Sequence, residues 1–501
     1  RQGIDWNWGY SAPEDIHLEN IDYQIDAVMD GSSTKIILDG DCEFDAVTVS
    51  SGCELDLNGQ RAVFGGILSG DGTLTATDSM LVFQGTSGVV FDVGDGPDLA
   101  VVDNSGTSYI SDAGAGNTVS WKERFQSSEA TVFLQSGKLQ PDYWTWSDVG
   151  TLNIGSGIFD NDDSRTMNAA NIIIPTGGTL SGTAATYNIS GDFTTAGGLI
   201  GKSALDLDGT QYAAQSTKTD WGFTNDFTIE TWLNTTDTDA RFMDMANGED
   251  GNNRISLSIE SGELRIAITG SNVETSGYSA IVTGGTWVHA AFTYDGTDAQ
   301  IYVNGKLAAS SDLSVTRGAD PDMEMWIGCG IDAAAGTFYT GKMGRFSLWS
   351  SVLSASDIRT MMFQKFADAT TTTCEAWYEF DEGTSTAVAN SEGTAARALT
   401  LDEAAWVGAG DFDYGTSTVD LTGTGDLSYE GNINFYNLKC AASTKTTTVN
   451  RRSTGTLYIR NNLYNGGGTL ARSGGVTYAF MGIASAPLSG AASPIDMSNC
   501  Y

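Results

Sequence analysis

The side chains best equipped for chemistry in this sequence are its carboxylates. Acids outnumber bases 63 to 25, and there are only two histidines. Asp244, Glu249, Asp250 and Asn252 gather oxygen donors within nine positions, a density that suits a hard cation such as calcium and equally suits a solvated acidic turn. Glycoside hydrolysis needs two carboxylates flanking a sugar bond. The nearest close pair, Glu260-Ser261-Gly262-Glu263, reads as a turn carrying acids. His289 falls in the middle of a strand and reads as a packed core residue, while His17 has no partner motif, so a Ser-His-Asp triad lacks its base. Gly466-Gly467-Gly468 opens a strand and not a helix, which excludes a phosphate loop there. No catalytic residue is assigned, and the expectation is a protein that is not an enzyme.

The net charge of −38 disfavours nucleic acid and anionic lipid, because phosphate binding requires Lys and Arg to displace counterions. It suits a saline medium, where screening relieves self-repulsion. No apolar run approaches the roughly 20 residues that span a bilayer. The chain opens on Arg1, which suggests a processed N-terminus. The six cysteines form three sequential pairs, Cys42/Cys53, Cys329/Cys374 and Cys440/Cys500, none with C-x-x-C spacing. Disulfides within domains and buried thiols both fit this arrangement.

The elements that must position these groups are almost all strands. With 61 Gly and 7 Pro spread along the chain, tight turns are frequent. Thr34-Lys35-Ile36-Ile37-Leu38, Ala46-Val47-Thr48-Val49 and Cys53-Glu54-Leu55-Asp56-Leu57 are short phrases of period-2 alternation. Similar phrases return at Asn171-Ile172-Ile173-Ile174 and, beyond position 410, at Ser417-Thr418-Val419-Asp420-Leu421 and Gly455-Thr456-Leu457-Tyr458-Ile459. One such rung cannot bury its own face, so the rhythm predicts a β-solenoid of stacked rungs. The alternative is an ordinary antiparallel sandwich, and recurrence across a gap of about 200 residues favours the solenoid. Residues 86–170 alternate less regularly. Asp5-Trp6-Asn7-Trp8-Gly9-Tyr10 reads as a capping or docking segment, because so aromatic a run needs a surface to bury it. The expected division is a docking segment over 1–30, scaffold over 31–202, an inserted domain over 203–409, and scaffold again over 410–501.

The insert has a different grammar. Asp226-Phe227-Thr228-Ile229-Glu230-Thr231-Trp232 alternates as a strand, and Thr286-Trp287-Val288-His289-Ala290-Ala291-Phe292 leads to a turn at Asp295-Gly296. Ile301-Tyr302-Val303 returns to Asn304-Gly305, a dipeptide that tight hairpins prefer. Ser354 is placed to cap a short helix containing Ile358, Met361 and Met362. In order, with Ala204-Leu205-Asp206-Leu207-Asp208-Gly209 first and Trp349 to Ile358 last, these phrases resemble the laminin-G-like, concanavalin A-like jelly rolls.

The resemblance implies a calcium site at Asp206, Asp208 and Gly209, with Asp244 and Asp250 as a second oxygen cluster. The acid that relatives carry on the late strand is missing, since Gly344 and Arg345 occupy that stretch. It also implies sugar recognition by loop aromatics and amides, for which Trp221, Asn247, Asn252, Asn253, Tyr278 and Tyr339 are the candidates. The Glu-x-Asp-x-x-Glu strand of concanavalin A-like enzymes is not present. The whole arrangement, all-β with a jelly roll set into a β-helix, resembles virion surface proteins of marine bacteriophages. That resemblance implies a capsid decoration or fibre protein meeting host glycans, partnered by capsid or tail proteins and homo-oligomeric, with a trimer as one form. A secreted adhesin or filament subunit and a polysaccharide-degrading enzyme are the alternatives.

Overall fold

A computed structural model describes residues 4–5, 16–19, 21–29, 34–84, 89–91, 100–102, 108–112, 117–121, 130–141, 145–161, 165–182, 184–200, 202–221, 225–247, 253–315, 322–331, 336–366, 372–403, 405–414, 416–440, 446–451, 455–465, 469–473 and 476–480. The proposed docking cluster at 6–10, the acids Glu249 and Asp250, Asn252 and Cys500 lie outside the described residues. The chain forms two compact units, one of residues 1–197 with 408–501 and one of residues 198–407.

The first unit is a β-solenoid. Its strands pair in parallel with the strand one turn earlier: Thr131 sits beside Thr151, and Thr151 beside Asn171. The stack is continuous across the insert. Thr179–Ser181 pairs with Asp411–Asp413, Thr186–Ile189 with Thr418–Leu421, and Phe193 with Leu427. Inward residues such as Leu38, Leu55, Leu74, Leu152, Ile172, Val419 and Leu457 share one apolar interior. Stacking aligns like with like: Phe44, Phe64 and Phe83 form a ladder with centroids 5.7 Å apart. Phe193 packs on Phe412 at 5.5 Å and on Phe435 at 5.9 Å, joining residues from both sides of the insert. Gly410 marks the return, where a Cβ would meet the Ile174 carbonyl oxygen at 2.1 Å. Only glycine lets the backbone approach this closely.

Residues 86–170 supply stacked rungs as well, including Ser108–Asp112 and Thr131–Ser136, with register shifts between Ser111 and Asp112 and between Trp146 and Val149. Their alternation is weak for a physical reason: Ser108 to Ser111 and Val132 to Ser136 are buried on both faces, so polar residues need not alternate.

The second unit is a sandwich of antiparallel sheets. One runs Leu205–Asp208, Thr340–Trp349, Asp226–Asn234, Val288–Asp295, Asp298–Val303, Lys306–Asp312, with Cys374–Tyr378 on Thr340–Trp349. The other runs Ser271–Glu274, Glu263–Ile268, Ile255–Glu260, Ala240–Ala246, Asp322–Ile327, Ala213–Ala214, Leu399–Leu401, Ala387–Val388. Phe227, Ile229, Leu257, Ile266, Phe292 and Met325 are among the side chains filling the space between them. Asn304 and Gly305 take positive φ of 48° and 74°, as a tight hairpin of this kind requires. The helix Ala355–Met361 begins at Ser354, whose hydroxyl accepts from the Asp357 N–H while Asp357 returns the bond.

Candidate functional site

Most of the residues singled out in the sequence serve packing. Trp221 is fully buried, donates its indole N–H to the Met323 carbonyl at 3.1 Å and lies under the Arg397 guanidinium, so it offers no sugar platform. Tyr339 is also fully buried, and burial holds its phenol far above the usual range. Both were read as loop residues, but each plugs the sandwich core. Asn247 accepts from Lys218 at 2.9 Å, and Asn253 is buried. Tyr278 is half-buried, and its N–H is held by Glu263 at the far end of the same sheet from Asn247. These candidates do not converge.

The calcium assignments meet specific obstacles. Asp206 and Asp208 are exposed on one strand, but the residue opposite Asp206 is Lys342 and the one opposite Asp208 is Thr340. Asp208 is instead tied to the Thr210 hydroxyl at 2.6 Å, which holds its carboxyl below the ordinary range. Gly209, at φ 89°, makes the turn beside them. Asp244 is not a surface ligand at all. It is fully buried, binds Arg254 through both oxygens, and accepts from the Ile331 N–H at 2.9 Å. Two guanidiniums already neutralise it, since Arg241 lies 3.5 Å away. Among the described residues no group of three His, Cys, Asp or Glu is placed to hold a metal ion. Cys42, Cys53, Cys329 and Cys374 are buried thiols rather than disulfides, and burial pushes Cys374 up to about 12. The Cys440 side chain lies outside the described residues.

The structure assembles a different set of groups on the outer face of the second sheet. Antiparallel register places Arg241, Ser258 and Arg265 in one row across three strands. The next row holds Asp244, Ser256 and Ala267, and on the other side Asp244 neighbours Trp326, which neighbours Ala214. Between these rows lies a depression of about 180 Å³ lined by Arg241, Arg254, Arg265, Ser256, Ser258 and Glu260. The side chains of Arg241, Arg254 and Arg265 are 27%, 29% and 23% exposed. Arg265 pairs with Glu260. Beside the depression, Tyr212 stacks on Trp326 at 5.0 Å and tilts against Phe338 at 6.3 Å, all three half-buried.

The polar groups lining this depression are three guanidiniums, the hydroxyls of Ser256, Ser258 and Thr269, and the carboxylate of Glu260, while the neighbouring Asp244 is fully buried. A groove of about 520 Å³ on the solenoid is lined by Asn168, Asn188, Ser190, Asp420 and Thr422, among others. Its one carboxylate, Asp420, pairs with Lys439 at 3.4 Å.

A family description, Laminin_G_3 or concanavalin A-like lectin/glucanases superfamily, matches residues 207–359. That stretch is a concanavalin A-like domain. It occupies under a third of the chain. Similar solved structures include a protein of Bacteroides ovatus ATCC 8483 provisionally described as carbohydrate binding, at 20% identity and TM-score 0.32. The match covers 42% of this chain and 60% of that one, so the chain spans less than two thirds of that protein. The CBM40 of a Ruminococcus gnavus IT-sialidase is similar at 14% identity and TM-score 0.26, covering 32% of this chain and 97% of that one. A heptameric SAP-like pentraxin from Limulus polyphemus is similar at 14% identity and TM-score 0.25, covering 31% and 80%. No curated protein matches the chain.

Proposed function

We propose that this protein is a non-enzymatic, extracellular carbohydrate-binding protein, in which a β-solenoid is the architectural body and the concanavalin A-like domain is the recognition module. The observation that carries this reading is the open face where Tyr212, Trp326 and Phe338 adjoin a depression lined with hydrogen-bond donors. Half-exposed rings suit the apolar faces of sugars, and the guanidinium and hydroxyl groups suit their oxygens. The strongly acidic composition and the long stacked body fit a surface component of a marine phage particle, assembled as a homo-oligomer on capsid or tail proteins.

Retention of the full chain on immobilised marine polysaccharides tests the binding role. The wild type is expected to be retained and Trp326→Ala to lose about tenfold in affinity, or about 1.4 kcal/mol. Passage of the wild type through every matrix would overturn it, as would release of reducing ends from the polysaccharide. Labelled antibody on purified particles tests the location: regular decoration of a shell or tail supports it, and cell-borne fibres would replace it with an adhesin.

A further inference from the structure

We infer that the arginine-lined depression recognises an anionic substituent, a sulfate ester or carboxylate, on the bound polysaccharide. The inference rests on the carbohydrate-binding reading above and adds the ligand's chemical class.

The first observation is the type and register of the cations. All three lining bases are arginines, whose planar forks match oxyanions, and none is a lysine. Arg241 and Arg265 flank Ser258 in one row, so two forks and a hydroxyl face a common space. The second observation is how little of this donor capacity is used. Asp244 takes both its strong contacts from Arg254, leaving Arg241 at 3.5 Å. The Nε groups of Arg241 and Arg265 are buried and have no acceptor. Among the described residues, three guanidiniums meet two carboxylates, Asp244 and Glu260, an excess of one positive charge. Burial lowers the affinity of Arg241 for its proton, Asp244 and Glu260 oppose that, and the neighbouring Arg254 and Arg265 add to it. An oxyanion accepting from the accessible guanidinium nitrogens would offset that excess charge.

The third observation is the setting. A chain of net charge −38 repels polyanions at long range, so a local excess of arginines here is not part of a general basic surface. Trp326 is the cross-strand neighbour of Asp244, which puts a ring platform one strand from the charged depression. A sugar ring on the platform would carry its anionic group toward the arginines. Gly330 leaves room for the Arg241 head itself: a Cβ there would meet Arg241 Nη1 at 3.0 Å.

The test measures affinity of the full chain for a sulfated galactan and its desulfated form, and for polygalacturonate and its methyl ester, in about 0.15 M salt to screen the global repulsion. The wild type is expected to prefer the anionic member of at least one pair by about tenfold or more. Arg241→Gln and Arg265→Gln are expected to lower affinity for the anionic member far more than for the neutral member, and so to erase that preference. Ser258→Glu, which sets a carboxylate between the two forks, should do the same, and unchanged thermal unfolding of each variant excludes misfolding. Equal affinity of the wild type within both pairs would overturn the inference while leaving the carbohydrate reading intact. A preference that survives all three substitutions would also overturn it. No binding to any of the four polymers would overturn both.

Discussion

The two outer faces of the sandwich use the same ion pair in opposite ways. On the first sheet, Arg345 and Glu230 meet at 3.1 Å with both side chains fully buried. The helix Ala355–Met361 and the turn after it close over them: Arg345 donates to the Met361 carbonyl and stacks over Trp377 at 4.5 Å, and the Trp232 indole donates to Met362 at 2.8 Å. On the second sheet, Arg254 grips Asp244, but the Arg254 side chain remains 29% exposed. An arginine–carboxylate pair beneath a cover is committed to the fold, because removing either partner strands a buried charge. The same pair at an open surface keeps donors available to a ligand. Cover, and not residue type, separates the two faces.

The largest expected effect comes from breaking the covered pair. Arg345→Met leaves Glu230 without its cation in a dry site, at a cost of about 3–5 kcal/mol in the unfolding of the sandwich. Arg254→Met should cost less, about 1–2 kcal/mol, since Asp244 keeps Arg241 and the Ile331 N–H. Chemical denaturation of the two variants gives the ratio directly. Equal losses would dissolve the distinction between the faces.

The covered face also has a pH signature. Burial raises Glu230 from 4.5 to about 7 despite the opposing pull of Arg345. A raised carboxyl contributes stability below its unfolded value of 4.5, and that share is lost as pH climbs through about 7. His289, fully buried with its ring 5.2 Å from Trp232, is held well below 6.5 by burial and then by Arg345. Its contribution is present above 6.5 and lost as pH falls below it, because only the unfolded chain then takes the proton. Between 4.5 and 6.5 the two slopes oppose one another. Glu230→Gln should therefore expose a loss of stability toward acid, and His289→Phe a loss toward neutral pH. Each slope has an upper limit of about 1.4 kcal/mol per pH unit. Denaturation midpoints at several pH values check this, and flat profiles in both variants would show that the cover does not keep the pair dry.

The covered face was far more legible in the sequence than the open one. Phe227 and Ile229 alternate with Thr228 and Glu230, the Ser354 cap is explicit, and the turn dipeptides announce the hairpins. The solenoid was readable for the same reason, because Thr186 and Thr418 begin equivalent phrases and pair directly. The open face was hidden by an irregularity. The register shifts between Arg241 and Met243, which brings Arg241 and Asp244, three positions apart, onto one face. Strict alternation would have put them on opposite sides of the sheet. One signal was available: Arg254, Ser256, Ser258 and Glu260 alternate with Ile255, Leu257 and Ile259, and the Ser261-Gly262 turn sets Arg265 opposite Ser258. Trp221 and Tyr339 misled because a large aromatic near a loop reads the same whether it faces water or plugs the core.

The smallest expected effect is the sharpest test of the comparison. Arg241 sits on the open face with a carboxylate contact, to Asp244, that is 3.5 Å long. Asp244 keeps Arg254 on both oxygens and the Ile331 N–H, so Arg241→Gln should change unfolding free energy by no more than about 1 kcal/mol. Glutamine leaves intact the backbone bond that the Arg241 N–H donates to the Thr337 carbonyl at 3.0 Å. A loss approaching that of Arg345→Met would mean that Asp244 depends on both guanidiniums as Glu230 depends on one. The open arginines would then belong to the fold, and their spare donors would be a by-product of holding a buried carboxylate.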